Sequence, residues 1–375
     1  MLIGIDATAL PPKPVGAGTY IINLIRTLAN TECGHEFVIF AHQSGRLLLE
    51  TPQTTKFRWV TIADKSPAKR LIWEQAVFPW IARREGIDLL HSLHYTRPLF
   101  LPCASVVTFH DMTFFLFPHL HTRSKRIFFP AAIRMSARTA GALIADSEST
   151  RQDAIRVLGI SPDRITAVPL AAAEDYRPIT DQGLLDRARQ KYGLPENFIL
   201  YVGLVEPRKN LPALIRSYKG MVDKGVTHHL VVVGRRGWMY EQVFQQVEAL
   251  GISERVHFTG YADREDLPVI YNLASVFVYP TLYEGFGLPV LEAMRCGAPV
   301  VTSNVSSLPE IVGEGGLMVA PGDEAALTGA VLRLLDEPGL REKLSAQGLK
   351  QSALFSWERV AYETVQVYEK ALRGK

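Results

Sequence analysis

Residues 279–299 read YPTLYEGFGLPVLEAMRCGAP, the order of a strand, a glycine-containing loop and a helix. The strand is predicted to end near Pro280. The helix is predicted to begin near Pro289 and to end at Gly297, because proline suits a first helical turn and glycine follows a last one. A strand that passes through a short loop into a helix is one half of the unit from which parallel α/β sheets are built.

The same alternation of short β-branched runs and longer amphipathic segments extends along the whole chain. It is typical of parallel sheets covered by helices on both faces, so we predict an α/β protein with two doubly wound, Rossmann-like sheets. The strands predicted for the first sheet are 2–6, 36–40, 57–62, 88–92, 104–110, 142–146 and 165–168. Those predicted for the second are 198–203, 229–234, 256–260, 276–280, 299–302 and 316–319.

The length of 375 residues favours two domains. Both periodicities lapse in the segment PLAAAEDYRPITDQG, which ends at Gly183, so the boundary is placed there. We predict an N-terminal domain over 1–172, a hinge over 173–183 and a second domain over 184–355. A final helix over 356–375 is predicted to pack back on the N-terminal domain. Because doubly wound sheets bind ligands beyond the carboxyl ends of their strands, the active site is expected in a cleft where the two domains face each other.

Composition excludes several classes of protein. A formal net charge of +3 gives no argument for a nucleic acid partner. The amino terminus lacks the basic region of a signal peptide, and no apolar window approaches the length of a membrane span. The three cysteines form no C-x-x-C pair, which indicates reduced thiols in a cytosolic protein and no metal site.

The loop and helix start within 279–299 predict an anion site. Unpaired amides and the positive end of the helix dipole point at the loop, where Gly285 and Gly287 let a phosphate approach the backbone. An acid beside such a site is repulsive unless it binds hydroxyl groups, which a sugar or a ribose would supply to Glu284. The alternative is that Glu284 merely lies in a turn and Glu292 merely solvates a helix.

The segment EGFGLPVLE resembles the signature of the retaining glycosyltransferases of GT-B fold, family 4 (glycosyl transferases group 1). That signature is a pair of glutamates around a GFGLP core, and mannosyltransferases are among its members. The resemblance implies that Glu284 binds hydroxyls of the donor hexose and that Glu292 holds the nucleotide ribose. It also implies backbone contacts to sugar and phosphate from Gly285, Phe286, Gly287 and Leu288.

A second match to this family is FILYVGLVEPRKN, in which Arg208 and Lys209 follow a predicted strand. Two adjacent cations at a strand end would hold a pyrophosphate and stabilise the charge that it gains as a leaving group. Taken alone, the pair reads better as a solvated helix start, because charged residues are usually exposed. Its occurrence together with the glutamate motif favours the catalytic role that the family implies.

The first domain carries weaker signals. A loop with Gly16 and Gly18 leads into a helix predicted from Thr19, and the resemblance implies that this loop closes on phosphates and acceptor; ordinary turn chemistry is the alternative. His110 follows a buried-looking strand. It reads as a general base, a hydrogen-bond donor to the sugar or a structural residue, and we favour binding. Ser147 is predicted to cap the next helix.

The nucleotide base is assigned only to regions. The resemblance places it near the strand end at Gly234 with Arg235, and near the loop around Tyr261. Leu267 and Tyr271 read as core residues.

The segment over 114–138 mixes aromatic residues with five arginines and lysines. Such a surface can lie on an anionic membrane, as in relatives that act on lipid-linked acceptors. Equally, it can be a helix that covers its own sheet and presents a solvated basic edge.

Together these features predict a retaining glycosyltransferase. It would move a hexose from a nucleotide diphosphate sugar to a hydroxyl of a glycan or lipid-linked glycan, in surface polysaccharide or glycolipid assembly. GDP-mannose is the favoured donor. No D-x-D motif calls for a metal, and no cofactor is expected. The protein is predicted to be cytoplasmic, at the inner face of the membrane if the basic segment binds there. The alternatives are a GT-B phosphorylase or epimerase, and a non-catalytic nucleotide-sugar-binding subunit.

Overall fold

The computed structural model describes residues 1–49, 56–64, 66–238 and 240–373. They divide into two units, Met1–Leu170 with Ser356–Lys375, and Ala171–Phe355. Residues 374 and 375, at the end of the predicted C-terminal helix, lie outside the described residues.

The first unit is built on a seven-stranded parallel sheet in the order β3-β2-β1-β4-β5-β6-β7. Its strands are β1 Leu2–Asp6, β2 Glu36–His42, β3 Phe57–Ile62, β4 Leu89–Ser92, β5 Ala104–Phe109, β6 Ala142–Ala145 and β7 Ile165–Ala167. Its helices are α1 Ala17–Asn30, α2 Gln43–Leu48, α3 Pro67–Ala76, α4 Phe78–Glu85, α5 Thr113–Leu116, α6 Arg123–Thr139, α7 Glu148–Leu158 and α16 Trp357–Arg373, with short 3₁₀ turns at Pro118–Leu120 and Pro162–Arg164.

The second unit repeats this topology with six parallel strands in the order β10-β9-β8-β11-β12-β13. Its strands are β8 Phe198–Val202, β9 His229–Val233, β10 Val256–Gly260, β11 Val276–Tyr279, β12 Val300–Ser303 and β13 Leu317–Val319. Its helices are α8 Gln182–Tyr192, α9 Leu211–Asp223, α10 Glu241–Ala249, α11 Leu267–Leu273, α12 Leu288–Arg295, α13 Leu308–Val312, α14 Glu324–Asp336 and α15 Pro338–Ser352, with 3₁₀ turns at Pro207–Lys209 and Ser253–Arg255.

The predicted fold class is confirmed, since each unit is a doubly wound parallel sheet. All thirteen predicted strands are present, with bounds that differ by one or two residues. The prediction was effective because central parallel strands are buried on both faces: every residue of β5 and of β8 is buried. The predicted start of the first helix at Thr19 is wrong. Helix α1 begins at Ala17, because Gly16 adopts φ +53° and ends the preceding loop.

The C-terminal helix α16 packs within the first unit through a buried apolar stripe that includes Trp357 and Val360. Tyr368 on this stripe hydrogen-bonds His91 of β4, with 2.7 Å between the hydroxyl and Nδ1. The other nitrogen of His91 lies 2.8 Å from the hydroxyl of Thr108. Burial lowers the pKa of His91 to about 3, so the imidazole is neutral in this network.

Three neighbouring strands of the second sheet end in glycine at the same edge. The N–H of Gly203 donates to Val233 O, and the N–H of Gly234 donates to Gly260 O. A Cβ at Gly234 would lie 1.8 Å from the carbonyl oxygen of Gly203, and its φ is +150°. Only glycine therefore lets the chains leaving β8 and β9 run this close together.

Candidate active site

The second sheet reverses its winding direction between β8 and β11, which are neighbours in space although three helices and two strands separate them in sequence. In sheets of this kind, the loops that follow the two strands at such a reversal usually form the ligand site at the carboxyl edge. Here they are the two loops that carry the sequence motifs, one with Arg208 and Lys209 and the other with Glu284.

The loop after β8 is held in place by Asn210, which adopts φ +56° between the 3₁₀ turn and α9. Asparagine tolerates this left-handed conformation better than most residues. Its side-chain amide donates to the carbonyl oxygens of Pro280, at 3.1 Å, and Pro321, at 2.8 Å. The first of these bonds joins the two motif loops, so the turn that presents Arg208 and Lys209 is fixed relative to β11.

Glu284 lies between the two cations. Its Oε2 is 2.9 Å from Nη1 of Arg208, and its Oε1 is 2.7 Å from Nζ of Lys209. The hydroxyls of Thr281 and Tyr279 also donate to Oε1, at 2.9 and 3.1 Å. Burial alone would raise the pKa of Glu284, but Arg208 and Lys209 outweigh it and lower the pKa to about 2. The carboxylate is therefore charged throughout the physiological range.

A second carboxylate completes this cluster. Glu206, also buried, accepts from Nη2 of Arg208 at 2.9 Å. Two cations thus face two carboxylates, an arrangement that a buried charge requires. Sequence reasoning named the cations and Glu284 but assigned no role to Glu206, whose proximity to Arg208 depends on the 3₁₀ turn.

The glycine loop is fixed by two serines that precede α13. The N–H of Glu284 donates to Oγ of Ser306 at 2.9 Å, and the hydroxyl of Ser307 donates to the carbonyl oxygens of Glu284, at 3.1 Å, and Phe286. A Cβ at Gly287, where φ is +111°, would lie 2.7 Å from Leu308. The backbone over 284–288 is thereby held directly before the helix.

Helix α12 begins at Leu288, directly after the glycine loop, and the N–H groups of Val290 and Leu291 in its first turn donate to the carbonyl oxygen of Gly287, at 3.0 and 3.4 Å. Glu292 on this helix accepts from the hydroxyl of Tyr271 at 3.1 Å. Burial raises the pKa of Glu292 to about 7. The two glutamates of the motif therefore differ in charge state: Glu284 is ionised, whereas Glu292 keeps its proton up to near neutral pH.

The residues predicted for the nucleotide base lie at the same edge. The guanidinium of Arg235, which follows Gly234, is 5.5 Å from the ring centre of Tyr261. The carbonyl oxygen of Arg235 accepts from the N–H of Val205 in the loop before Arg208. The structure thus brings the predicted donor residues of the second unit into one continuous region. Of the two residues predicted as core, Tyr271 is buried and Leu267 is only half-buried.

In the first unit, His110 is the first residue beyond β5 and is buried. Its Nδ1 lies 2.8 Å from Oδ2 of Asp146, and its Nε2 lies 2.9 Å from the carbonyl oxygen of Leu93. Both partners are acceptors, so both ring nitrogens donate. Burial opposes the positive charge, but Asp146 outweighs it and raises the pKa of His110. A ring that donates from both nitrogens has no lone pair for a proton, so this geometry does not suit a general base.

Gly16 and Gly18 lie where the chain leaves β1 and enters α1. Gly16 precedes the helix, whereas Gly18 belongs to its first turn, where a Cβ would lie 2.8 Å from Cβ of Pro14. The same helix carries Tyr20, whose ring packs edge-on against His110 at 5.3 Å. Ser147 caps α7 as predicted, accepting from the N–H of Thr150.

Comparison with known proteins decides the family. The family described as "Glycosyl transferases group 1" matches residues 186–351, and the one described as "Glycosyltransferase Family 4" matches 14–172. An O-antigen chain mannosyltransferase B from Escherichia coli is 37% identical over 292 residues, which are 77% of this chain and 76% of that protein. The chain belongs to the group 1 glycosyltransferases.

Solved structures agree on the fold. A sucrose-phosphate synthase from Thermosynechococcus elongatus matches with a TM-score of 0.78 and 22% identity, over 100% of both chains. The HepE protein of Anabaena, solved in complex with UDP and glucose, matches with a TM-score of 0.77 and 18% identity, over 98% of this chain and 99% of that one. The resemblance to the GT-B glycosyltransferases is confirmed, and the phosphorylase, epimerase and non-catalytic alternatives are not favoured.

Sequence reasoning missed polar residues at the carboxyl edge of the first sheet of this glycosyltransferase. His94 and Tyr95 follow β4, and both rings lie 5.6 Å from that of His110. Tyr95 has φ +44°, which is strained for a residue with a side chain. The signal that could have found them is position, since they follow a strand at the winding reversal of the first sheet.

A buried carboxyl group at this edge was also missed. Glu74 of α3 accepts from Arg70 at 3.0 Å and from the hydroxyl of Thr96 at 2.9 Å. Burial, together with nearby Asp6, raises the pKa of Glu74 to about 7. Arg70 and Glu74 are four residues apart, as in an ordinary surface pair on a helix, and Thr96 is far from both in sequence, so the sequence did not show that this carboxyl group is buried.

In the described part of the glycosyltransferase, no helix is both long and apolar enough to cross a bilayer. No group of three or more histidine, cysteine or acidic side chains in that part is placed to hold a metal ion.

The pKa of Glu292 predicts a pH-dependent stability. The folded protein keeps this proton up to about pH 7, whereas an unfolded chain releases it near 4.5. The folded state binds more protons between these values, so the free energy of unfolding falls as the pH rises through them. Because one pKa unit corresponds to about 1.4 kcal/mol, Glu292→Gln is expected to reduce this decrease in the free energy of unfolding by on the order of 3 kcal/mol. Urea denaturation at pH 5 and pH 8 measures it.

The exposed Glu265→Gln variant, which removes the same charge nearby, serves as control and should retain the wild-type pH dependence. Glu74 contributes in the same direction, so part of the fall remains in Glu292→Gln. Equal pH dependence in Glu292→Gln and wild type would contradict the assignment of a neutral Glu292.

Proposed function

We propose that this glycosyltransferase moves mannose from GDP-mannose to a hydroxyl of a glycan or lipid-linked glycan during surface polysaccharide assembly. The O-antigen mannosyltransferase that is 37% identical over three quarters of both chains supports the sugar and the process. A nucleoside diphosphate as leaving group is supported by the HepE structure, which was solved with UDP and glucose. Guanine as the base follows from the mannosyltransferase resemblance.

The contact of Glu284 with Arg208 and Lys209 carries this proposal. Both cations are held at a strand end beside the amino terminus of α12, where the charge of a diphosphate is favourable. The diphosphate would share these cations with Glu284. The carboxylate, which the two cations keep ionised, then accepts hydrogen bonds from hydroxyls of the hexose.

We propose that the transfer retains the anomeric configuration and requires no side-chain nucleophile. The bond from the anomeric carbon to the diphosphate oxygen breaks as the acceptor oxygen bonds to the same face of that carbon. The departing phosphate oxygen takes the proton of the acceptor hydroxyl. Arg208, Lys209 and the amides before α12 stabilise the negative charge that develops on the diphosphate, without a metal or other cofactor.

The remaining donor contacts follow from the same edge of the sheet. Glu292, neutral up to about pH 7, can donate a hydrogen bond to a ribose hydroxyl as well as accept one. Gly234 lets the chain that leaves β9 run directly against the chain that leaves β8, and Arg235 with Tyr261 offers a polar and aromatic surface to the base. In the first unit, His110 is proposed to contact the sugar through its backbone or to support neighbouring backbone, because both of its ring N–H groups already have acceptors. Gly16 and Gly18 are proposed as part of the loop near the phosphates.

Nucleotide release measured for GDP-mannose, UDP-glucose, UDP-N-acetylglucosamine and ADP-glucose, with and without a mannoside acceptor, tests this function. GDP-mannose is expected to give acceptor-dependent release and a product with an α-anomeric proton by NMR. Glu284→Gln and Arg208→Met are each expected to lower kcat/KM at least about 100-fold, the order seen when a preorganised charge contact is removed.

The exposed Glu342→Gln variant on α15 is the matched control and should keep wild-type kcat/KM. Circular dichroism confirms that each variant is folded, and Arg208→Met provides an independent test if Glu284→Gln is unstable. Absence of release from every donor would contradict transferase activity, and an inverted anomer would contradict retention.

We also propose that the amino-terminal end of α6 contacts anionic membrane. Arg123, Lys125 and Arg126 are exposed there, beside Ile127 and Phe128, whose exposed fractions are 78% and 41%. Further along the helix only one face is buried, against the first sheet, and Arg134 and Arg138 remain exposed. The helix therefore covers its own sheet with that face, while its first turns carry the exposed basic and apolar side chains that suit a lipid surface.

Flotation with phosphatidylcholine vesicles, with and without phosphatidylglycerol, tests this contact. Each basic residue near an anionic surface contributes about 1 kcal/mol, so Arg123→Ser/Arg126→Ser is expected to lower the partition coefficient about 30-fold. Arg187→Ser/Lys224→Ser removes two exposed charges from the second unit and should leave it unchanged. Lack of salt-sensitive binding to anionic vesicles would eliminate the proposal.

A further inference from the structure

A groove of about 480 Å³ opens on the first unit, on the side of the sheet that α4 covers. Its lining residues come from α4, from the loop between β4 and β5 and from the last residue of α6: Pro79, Trp80, Arg83, Arg97, Leu99, Phe100, Leu101, Pro102 and Thr139. This volume lies within the range of about 300 to 1,000 Å³ that is usual for small-molecule sites.

The groove contains a buried arginine without a counter-charge. Arg97 is 4% exposed, and its Nε and Nη1 atoms are buried with no hydrogen-bond partner among the described residues. Burying an unpaired charge is costly, and a buried polar group without a partner calls for a ligand or a water. Arg83, on the wall of the same groove, is exposed and forms no ion pair within the described residues.

The loop that carries Arg97 is held by one side chain of α3. The amide nitrogen of Gln75 donates to the carbonyl oxygen of Arg97 at 3.0 Å, and its amide oxygen accepts from the N–H of Leu99 at 2.9 Å. Because both bonds fix backbone, the guanidinium of Arg97 is presented by a loop that does not depend on a ligand for its position.

The other walls are apolar and exposed. The exposed fractions of Trp80, Leu99 and Phe100 are 62%, 44% and 80%. Three large apolar side chains around one groove form a patch that a soluble protein rarely leaves uncovered without a binding role. Arg84 already stacks on Trp80, with its guanidinium carbon 5.2 Å from the ring, which orients the indole.

The groove is distinct from the two sites already described. Pro102 and Thr139 lie next to the amino ends of β5 and β6, whereas His110 lies at the opposite, carboxyl edge of the same parallel sheet. Thr139 is thirteen residues from Arg126 along α6, or about 20 Å at the rise of an α-helix. Neither the donor site nor the proposed membrane surface therefore accounts for the groove.

We propose that this groove binds an amphiphile that carries a phosphate monoester on an apolar chain. The fork of Arg97 would take the phosphate in two parallel hydrogen bonds, and Arg83 would add a second positive charge for a dianion. Trp80, Leu99 and Phe100 would cover the first carbons of the chain. A free phosphate lacks the apolar part, and a neutral alcohol leaves the guanidinium unpaired, so neither alone satisfies both parts of the groove.

Isothermal titration calorimetry of the full chain with octyl phosphate, octanol and inorganic phosphate tests the proposal. Octyl phosphate is expected to bind saturably with one site per chain, and at least tenfold more tightly than either control compound. Arg97→Met, which keeps the length of the side chain but removes its charge, and Phe100→Ser are each expected to weaken octyl phosphate binding at least tenfold. Arg126→Met, which removes an exposed arginine from the other end of α6, should leave it unchanged.

No binding of octyl phosphate, equal binding of octanol, or wild-type affinity in Arg97→Met would each overturn the proposal. So would an equal loss in Arg126→Met, which would indicate adsorption to the basic end of α6. The source of the ligand is then resolved by flotation with phosphatidylcholine vesicles that contain hexadecyl phosphate. Vesicles with an equal charge of phosphatidylglycerol report binding through α6 alone. Tighter binding to hexadecyl phosphate that Arg97→Met reduces to this level identifies a membrane amphiphile, whereas binding of octyl phosphate alone identifies a soluble one.

Discussion

Two positive charges in the second unit, Arg208 and Lys209, are largely withdrawn from water at the end of one strand. A buried charge is stable only when it is paired, and here Glu284 and Glu206 supply the pairs. Asn210 holds the turn that carries the cations, and the serines after β12 hold the loop that carries Glu284. The glycosyltransferase thus keeps a rigid set of charges at the point where its sheet changes winding direction.

The same principle operates at the carboxyl edge of the first sheet with different residues. Asp146 and a backbone carbonyl outweigh burial and raise the pKa of His110, whereas burial raises the pKa of Glu74 to about 7. Each edge therefore combines one group that burial neutralises with one that a partner keeps charged. Such separation of charge states is what allows neighbouring ionisable groups to perform different tasks.

The sequence was sufficient for the strands and for the two motifs, for physical reasons. Central parallel strands such as β8 are continuous apolar runs, and the motif around Glu284 places its glycines where the backbone requires them. Three features depend on the folded chain and were beyond it. They are the pairing of Asp146 with His110, the pairing of Glu206 with Arg208 through a 3₁₀ turn, and the burial of Arg97 without a partner among the described residues. Both glutamates are buried, and it is the contact with Arg208 and Lys209 that separates the pKa of Glu284 from that of Glu292; burial and this contact are properties of the folded chain.

The central claim is that Arg208 and Lys209 bind the diphosphate of the donor. The affinities of GDP and GMP, measured by calorimetry in wild type and in Arg208→Met, test it most directly, because the two nucleotides differ only in the β-phosphate. Wild type is expected to prefer GDP at least tenfold, which corresponds to about 1.4 kcal/mol. Arg208→Met should bring the two affinities close to each other. A preference for GDP that survives in Arg208→Met, or no preference in wild type, would contradict the account.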